Sequence, residues 1–182
     1  MLLDTPEPLM RTLETPRLVL EPQVTAHADE IFVVLGDPAI YEFENTAPGS
    51  VEALRERYRT LESRRSPDGT QLWLNWTVRL KAEHLAIGYV QATVLADATA
   101  LIAYEFNSAW WGRGLAHEAV SASTQELKRG QGVQRLGAVF KSRNERSRRL
   151  LVRLGMQPAR PGQFPSALAA ADESAMAIDG WR

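Results

Sequence analysis

The sequence predicts a mixed α/β fold in a single domain, and three features of its element order carry that expectation. Strand-like runs at Leu72–Leu80, Ala86–Leu95 and Leu101–Phe106 are separated by the short polar links Lys81–His84 and Asp97–Thr99, which reads as an antiparallel meander. A helix and a strand at Leu136–Phe140 come next, and strand–helix–strand alternation requires a parallel crossover inside the same sheet. No linker, repeat or shift in composition marks a boundary, so residues 1–182 read as one unit.

The elements follow in order. Arg17–Pro22 is a short apolar run closed by proline, a first strand. Thr25 is placed to cap a helix carrying Ile31, Phe32 and Leu35, with Gly36 and Asp37-Pro38 ending it. Ser50 is a second cap, after which Val51, Leu54, Tyr58 and Leu61 recur at helical spacing. Ser66–Gly69 is a turn ahead of the meander. A helix from about Leu115 to Lys128 presents Ala119, Val120, Ser123 and Leu127 on one side and is broken by Gly130 and Gly132. Arg146–Leu154 is the last helix, stopped by Gly155. A proline-rich loop, Pro158–Pro165, the Ala-rich piece Ala167–Ala171 and a final strand at Ser174–Ile178 complete the chain.

Bulk composition excludes several functions. A hydrophobic fraction of 45% supports a real core without metal or disulfide staples. The absence of cysteine removes disulfides, thiolate zinc sites and a cysteine nucleophile, so any group transfer is direct or uses another residue type. A net charge of −1 gives no general pull toward nucleic acid. No stretch approaches the ~20 apolar residues of a membrane span, and Met1–Arg11 lacks a signal-peptide core, so a soluble cytoplasmic protein is expected. His27 and His84 have no companion ligands, and no metal is expected.

Chemistry concentrates in Phe106–Ala116, between a predicted strand and a predicted helix. Gly112 and Gly114 permit a tight turn and a close backbone approach to a ligand. The free N–H groups of the first helical turn and the helix dipole then favour an anion such as a pyrophosphate, to which Arg113 can add a charged contact. A Gly-X-Gly turn alone is equally an ordinary loop. A Walker loop lacks its Gly-Lys-Ser/Thr here, and a dinucleotide fold places its turn after the first strand, not behind a meander.

Trp111-Gly112-Arg113-Gly114-Leu115-Ala116 resembles the acyl-CoA-binding turn of the GCN5-related N-acetyltransferases (GNAT), Gln/Arg-X-X-Gly-X-Gly/Ala, except at its first position. Tryptophan before Gly-X-Gly, followed by Glu118, is similar to the branch holding the Rim-type ribosomal-protein N-terminal acetyltransferases. Leu13–Leu20 resembles that branch's opening strand, and Asn144-Glu145-Arg146-Ser147 leading to Leu154-Gly155-Met156 resembles its last helix. The resemblance covers roughly residues 13–156 and implies a twisted, mostly antiparallel mixed sheet with helices on both faces. It also implies a V-shaped splay between two central parallel strands, Leu101–Phe106 and Leu136–Phe140.

By the same resemblance acetyl-CoA is the cosubstrate and a primary amine the acceptor, with direct transfer in a ternary complex. The pantetheine arm would lie in the splay, with Phe106 beside the acetyl group, Gly112, Arg113, Gly114, Leu115 and Ala116 at the pyrophosphate, and Asn144 bonding the arm. The tyrosine many relatives use as general acid falls on Leu151, which leaves Ser147, the usual suggestion in the Rim-type branch. Glu105 is the candidate base, although strand alternation sets it opposite Tyr104 and Phe106 and a solvent-facing glutamate is the commoner case. Glu42 and Glu44 are alternatives for shaping the acceptor mouth.

The remaining residues keep plainer readings beside these. Tyr104, Trp110 and Trp111 are first of all core aromatics, and His117 a helix-surface histidine. Of the basic run Lys141, Arg143, Arg146, Arg148, Arg149 and Arg153, one or two would meet the cosubstrate and the rest face solvent. A CoA-binding module without turnover and an antibiotic-modifying acetyltransferase both fit the motifs. Several carboxylates around the acceptor mouth would mark the latter. Dimerisation is compatible with the resemblance, and no residue pattern argues for it.

Overall fold

A computed structural model describes residues 10–43, 46–163 and 170–180. The N-terminal residues before Met10, Glu44, and most of the Ala-rich piece lie outside that range, as do the last two residues of the loop expected at Pro158–Pro165. The strands are β1 (Leu13–Glu14), β2 (Leu18–Pro22), β3 (Leu72–Leu80), β4 (Ala86–Val94), β5 (Thr99–Phe106), β6 (Arg135–Lys141), β7 (Gln157–Pro158) and β8 (Glu173–Asp179). They form one mixed sheet in the order β1-β2-β3-β4-β5-β6-β8-β7. All neighbours are antiparallel except β5 and β6, joined in parallel through the long helix that crosses between them.

Helices cover both faces, as the two apolar clusters record. On one face α3 (Leu115–Gln131) and α4 (Glu145–Arg153) press Leu115, Val120, Leu127 and Leu151 onto Leu20, Trp76, Val90 and Ile102. On the other, α1 (Ala28–Val34) and α2 (Val51–Leu61) set Ile31, Leu54 and Tyr58 over Ala86 and Tyr89. With both faces covered, β3 reads as a near-continuous buried run from Leu74 to Val78 instead of an alternating one.

The expected helix ends are partly revised. Ser50 caps α2, its hydroxyl accepting from Ala53 N–H at 3.1 Å. Thr25 does not cap α1: it opens a 3-10 turn, its hydroxyl is buried without a partner among the described residues, and Glu62 takes its N–H. Gly130 stays inside α3, and Gly132, left-handed at φ 64°, ends the helix by sending its N–H to Leu127. The two-residue strands β1 and β7 have too few side chains to show a period.

The parallel pairing is short. β5 and β6 align Thr99 with Arg135, Ala100 with Leu136 and Leu101 with Gly137, and there the ladder stops. β5 continues along β4 to Phe106 and β6 continues along β8 to Lys141, so the two strands splay like a V. Gly88 holds the β4 side of this arrangement. A Cβ on it would stand 2.2 Å from the Glu105 carbonyl oxygen and 2.9 Å from Phe106 Cα, which backbone cannot yield cheaply. Gly88→Ala is expected to lower stability by about 1–3 kcal/mol, the usual cost of overpacking. Urea unfolding measures this, and a variant as stable as the parent would show that β5 can retreat.

Candidate active site

Strand geometry decides which groups face the V. Asn107 N–H bonds Ile87 O at 3.0 Å, so the odd residues of β5 spend their main-chain groups on β4, and those of Tyr104 and Phe106 point toward β6. Trp111 Nε1 donates to the Phe106 carbonyl at 2.7 Å, leaving the Phe106 N–H as the open group at the end of β5. The V is continuous with a cleft of about 1090 Å³ that reaches both faces of the sheet.

At the mouth of the V the glycine turn leads into α3. Gly112 and Gly114 have φ of 74° and 76°, left-handed values that L side chains rarely adopt, and Gly114 is the N-cap. The amides of Leu115, Ala116 and His117 belong to the first helical turn and have no intrahelical acceptor; the first such bond is Glu118 N–H to Gly114 O at 3.1 Å. This is an anion cradle at the positive end of a 17-residue helix. Arg113 is exposed, with its guanidinium 4.8 Å from the Trp110 ring centre, at the rim beside the cradle.

The cradle is tied to the start of the chain. Glu118 accepts from Thr15 Oγ1 at 2.6 Å, Arg17 N–H at 2.9 Å and Arg17 Nε at 2.7 Å, while Arg17 Nη1 donates to the Arg113 carbonyl at 2.9 Å. Burial works to raise the Glu118 pKa, and the hydrogen bonds from Thr15 and Arg17 with the Arg17 charge outweigh it, so the carboxyl titrates below its ordinary value. Thr15 and Arg17 lie in the segment that resembles the family's opening strand, and nothing in the sequence showed that this segment reaches Glu118.

Two neighbouring residues of β5 deliver chemistry to opposite faces. Tyr104 lies on the α3–α4 face, and its phenol meets Ser147 Oγ at 2.9 Å. Ser147 points inward because Leu151, four residues on and so on the same side of α4, is the helix's fully buried anchor. Asn144 caps that helix, its Oδ1 accepting from Ser147 N–H at 3.1 Å, which leaves Nδ2 to serve a ligand. Glu105 lies on the α1–α2 face beside its cross-strand neighbour Tyr89. It is half-buried in the cleft, not on a solvent-facing surface. Burial pushes the Tyr89 phenol well up, and the charge of Glu105 and a hydrogen bond to it add to the effect. Tyr41 and Tyr58 are raised likewise by burial first and Glu105 after.

The members of the basic run sit in different surroundings. Lys141 pairs with Asp172 and Glu173, and Arg148 with Glu145. Arg149 and Arg153 line the cleft. Arg146 does too, pairing with Glu42 and stacking 4.2 Å from the centre of the Trp111 ring, so Trp111 anchors the turn and also floors the cleft. His117 lines the cleft as well. Among the described residues no group of three or more His, Asp or Glu could hold a metal, and no helix is long and apolar enough to cross a membrane.

The Glu118 contacts imply a pH dependence. A carboxyl whose folded pKa is depressed stabilises fully above its unfolded value, near ~4.3, and loses that contribution as pH falls through the folded value. Glu118→Gln is therefore expected to flatten the fall in stability below about pH 4.3, and thermal melting across pH 3–6 reads it. An acid limb identical to that of the parent would assign acid sensitivity elsewhere.

Comparison with known proteins places this architecture. The acetyltransferase (GNAT) domain model matches residues 17–157. The chain is 27% identical over 150 residues to the uncharacterized N-acetyltransferase YoaA of Bacillus subtilis (strain 168), spanning 80% of this chain and 82% of that protein. The ribosomal-protein-S5-alanine acetyltransferase of Vibrio fischeri superposes with a TM-score of 0.74 at 18% identity, over 94% of this chain and 97% of that one. RimL, a ribosomal alpha-N-protein acetyltransferase solved in complex with coenzyme A, gives 0.77 at 12%, over 93% and 98%. A family model spanning most of the sequence and a sheet opened between its two parallel strands agree: the chain belongs to the GNAT acetyltransferase family.

Proposed function

We propose that this protein is a single-domain cytoplasmic N-acetyltransferase that moves an acetyl group from acetyl-CoA directly to a primary amine. The observation that carries the reading is the V between β5 and β6, which leaves main-chain groups of Tyr104 and Phe106 without a strand partner next to an anion cradle. Buried main-chain polar groups require partners. An extended amide-bearing arm that ends in a pyrophosphate supplies them, and pantetheine with its nucleotide has that form. Acetyl-CoA binds here as a substrate, with Gly112, Gly114, Leu115 and Ala116 at the pyrophosphate, Arg113 at its rim and Asn144 Nδ2 on the arm.

The reaction then follows from which side each group occupies. The amine enters from the α1–α2 face, where Glu105 accepts its proton directly or through one water; amines near pKa ~10 arrive mostly protonated and need such a base. The Phe106 N–H polarises the thioester carbonyl as negative charge develops on it. The tetrahedral adduct collapses, the C–S bond breaks, and Ser147 hydrogen-bonds the departing sulfur.

The acceptor half of the cleft narrows the amine. Among the described residues Glu105 is the one carboxylate lining the cleft, with Arg57 of α2 on the same face, while Arg146, paired with Glu42, Arg149 and Arg153 line it from α4. A single carboxylate is not the ring of several that a polycationic antibiotic calls for, whereas a peptide N-terminus brings a single amine. The likeness to two ribosomal-protein acetyltransferases supports the Rim-type branch on the same side.

Calorimetric titration with acetyl-CoA tests the donor site. The parent is expected to bind at micromolar concentrations and Gly114→Trp to lose at least about a hundredfold, nearly 3 kcal/mol, with its circular dichroism unchanged. No binding by the folded parent would end the transferase reading. Thiol release with peptides bearing free N-termini, phenethylamine and kanamycin tests the acceptor. Glu105→Gln is expected to lower kcat by about 10²–10⁴ while leaving acetyl-CoA affinity intact. Binding without thiol release from any amine would favour a CoA-binding module instead.

A further inference from the structure

The contact between Tyr104 and Ser147 joins a strand residue to a residue of α4 across the V, 43 positions apart in sequence, with the two oxygens at 2.9 Å. Its direction is decided by what each hydroxyl can otherwise do. Among the described residues Tyr104 has no other hydrogen-bond partner, so a phenol that accepted from Ser147 would have only the cleft it lines to receive its own proton. The phenol that donates satisfies itself and fills one lone pair of Ser147. The Ser147 main-chain N–H is already engaged by Asn144, so the free element of that residue is its O–H.

We propose that Tyr104 is a positioning residue for the leaving thiol: its phenol donates to Ser147 Oγ and so turns the serine O–H into the gap between β5 and β6, onto the departing sulfur. The proposal rests on the placement of acetyl-CoA in that gap argued above. Tyr104 does not itself supply the proton. Burial pushes its phenol up to about 12, with the Ser147 hydrogen bond working the other way. The conjugate base of a thiol with pKa near ~8.5 is too weak to take a proton from such a phenol. The electron pair of the C–S bond goes to sulfur, the serine O–H stabilises the thiolate by a charge-assisted hydrogen bond, and water then protonates it, while the amine proton has left by Glu105.

The test needs no acceptor. The thiol of coenzyme A bound to the protein is titrated by the ultraviolet absorbance of its thiolate, in the parent and in variants. Bound thiol is expected to titrate below free coenzyme A in the parent, and Tyr104→Phe to raise its pKa by about one unit, a tenfold loss of thiolate at fixed pH. Ser147→Ala is expected to raise it at least as far, the double variant to match Ser147→Ala, and Ser147→Thr to keep the parental value. A Tyr104→Phe titration like that of the parent, or a double variant shifted beyond Ser147→Ala, would overturn the proposal while the transferase reading stands. Absence of coenzyme A binding in the folded parent would instead remove the reading on which it rests.

Discussion

The early end of the β5–β6 ladder is the constraint on which the rest of the molecule depends. Both strands are fully committed on their outer edges, β5 to β4 and β6 to β8. Their inner edges part after Leu101 and Gly137, so main-chain groups buried in the middle of a sheet lack strand partners. An ordinary fold would close such a gap, because each unpaired buried amide costs about 1–3 kcal/mol. Here the β5 side is held in place. Gly88 lets β4 press against Glu105 and Phe106, and Trp111 engages the Phe106 carbonyl and fixes the end of the strand.

The opening also resolves a conflict in the strand pattern. Glu105 and Tyr104 are adjacent, so alternation sends them to opposite faces, and a closed sheet would let one of them at most see a bound substrate. Because the cleft passes through the V, both residues line it. A carboxylate held by Tyr89 stands on one side and a paired hydroxyl on the other. The expectation of a solvent-facing Glu105 was sound for a flat sheet and failed for this one.

The fold was legible because its signals are local. The meander, the strand–helix–strand crossover, the Ser50 cap and the stop at Gly155 each follow from a few neighbouring residues, and the glycine turn announced itself by position. The Tyr104–Ser147 contact, the approach of Tyr89 to Glu105 and the stacking of Arg146 on Trp111 were not legible, since each joins segments that only the tertiary fold brings together. Thr25 misled for a physical reason: a threonine before an apolar stretch has the chemistry of a cap, but a 3-10 turn over Thr25–His27 intervenes, so α1 starts at Ala28 with His27 in the cap position. The two-residue strands show no period at all, and only their pairing with β2 and β8 defines them.

The clamp around Glu118 gives the anion cradle a history during synthesis. Its partners lie 96 to 103 positions apart in the sequence, Thr15 and Arg17 near the start, Arg113 and Glu118 past the middle. Such contacts close large loops and therefore form late. As the chain leaves the ribosome, the opening strand waits until α3 has emerged before the glycine turn acquires the contacts that hold it. The geometry of the turn therefore depends on contacts that only the long-range fold supplies.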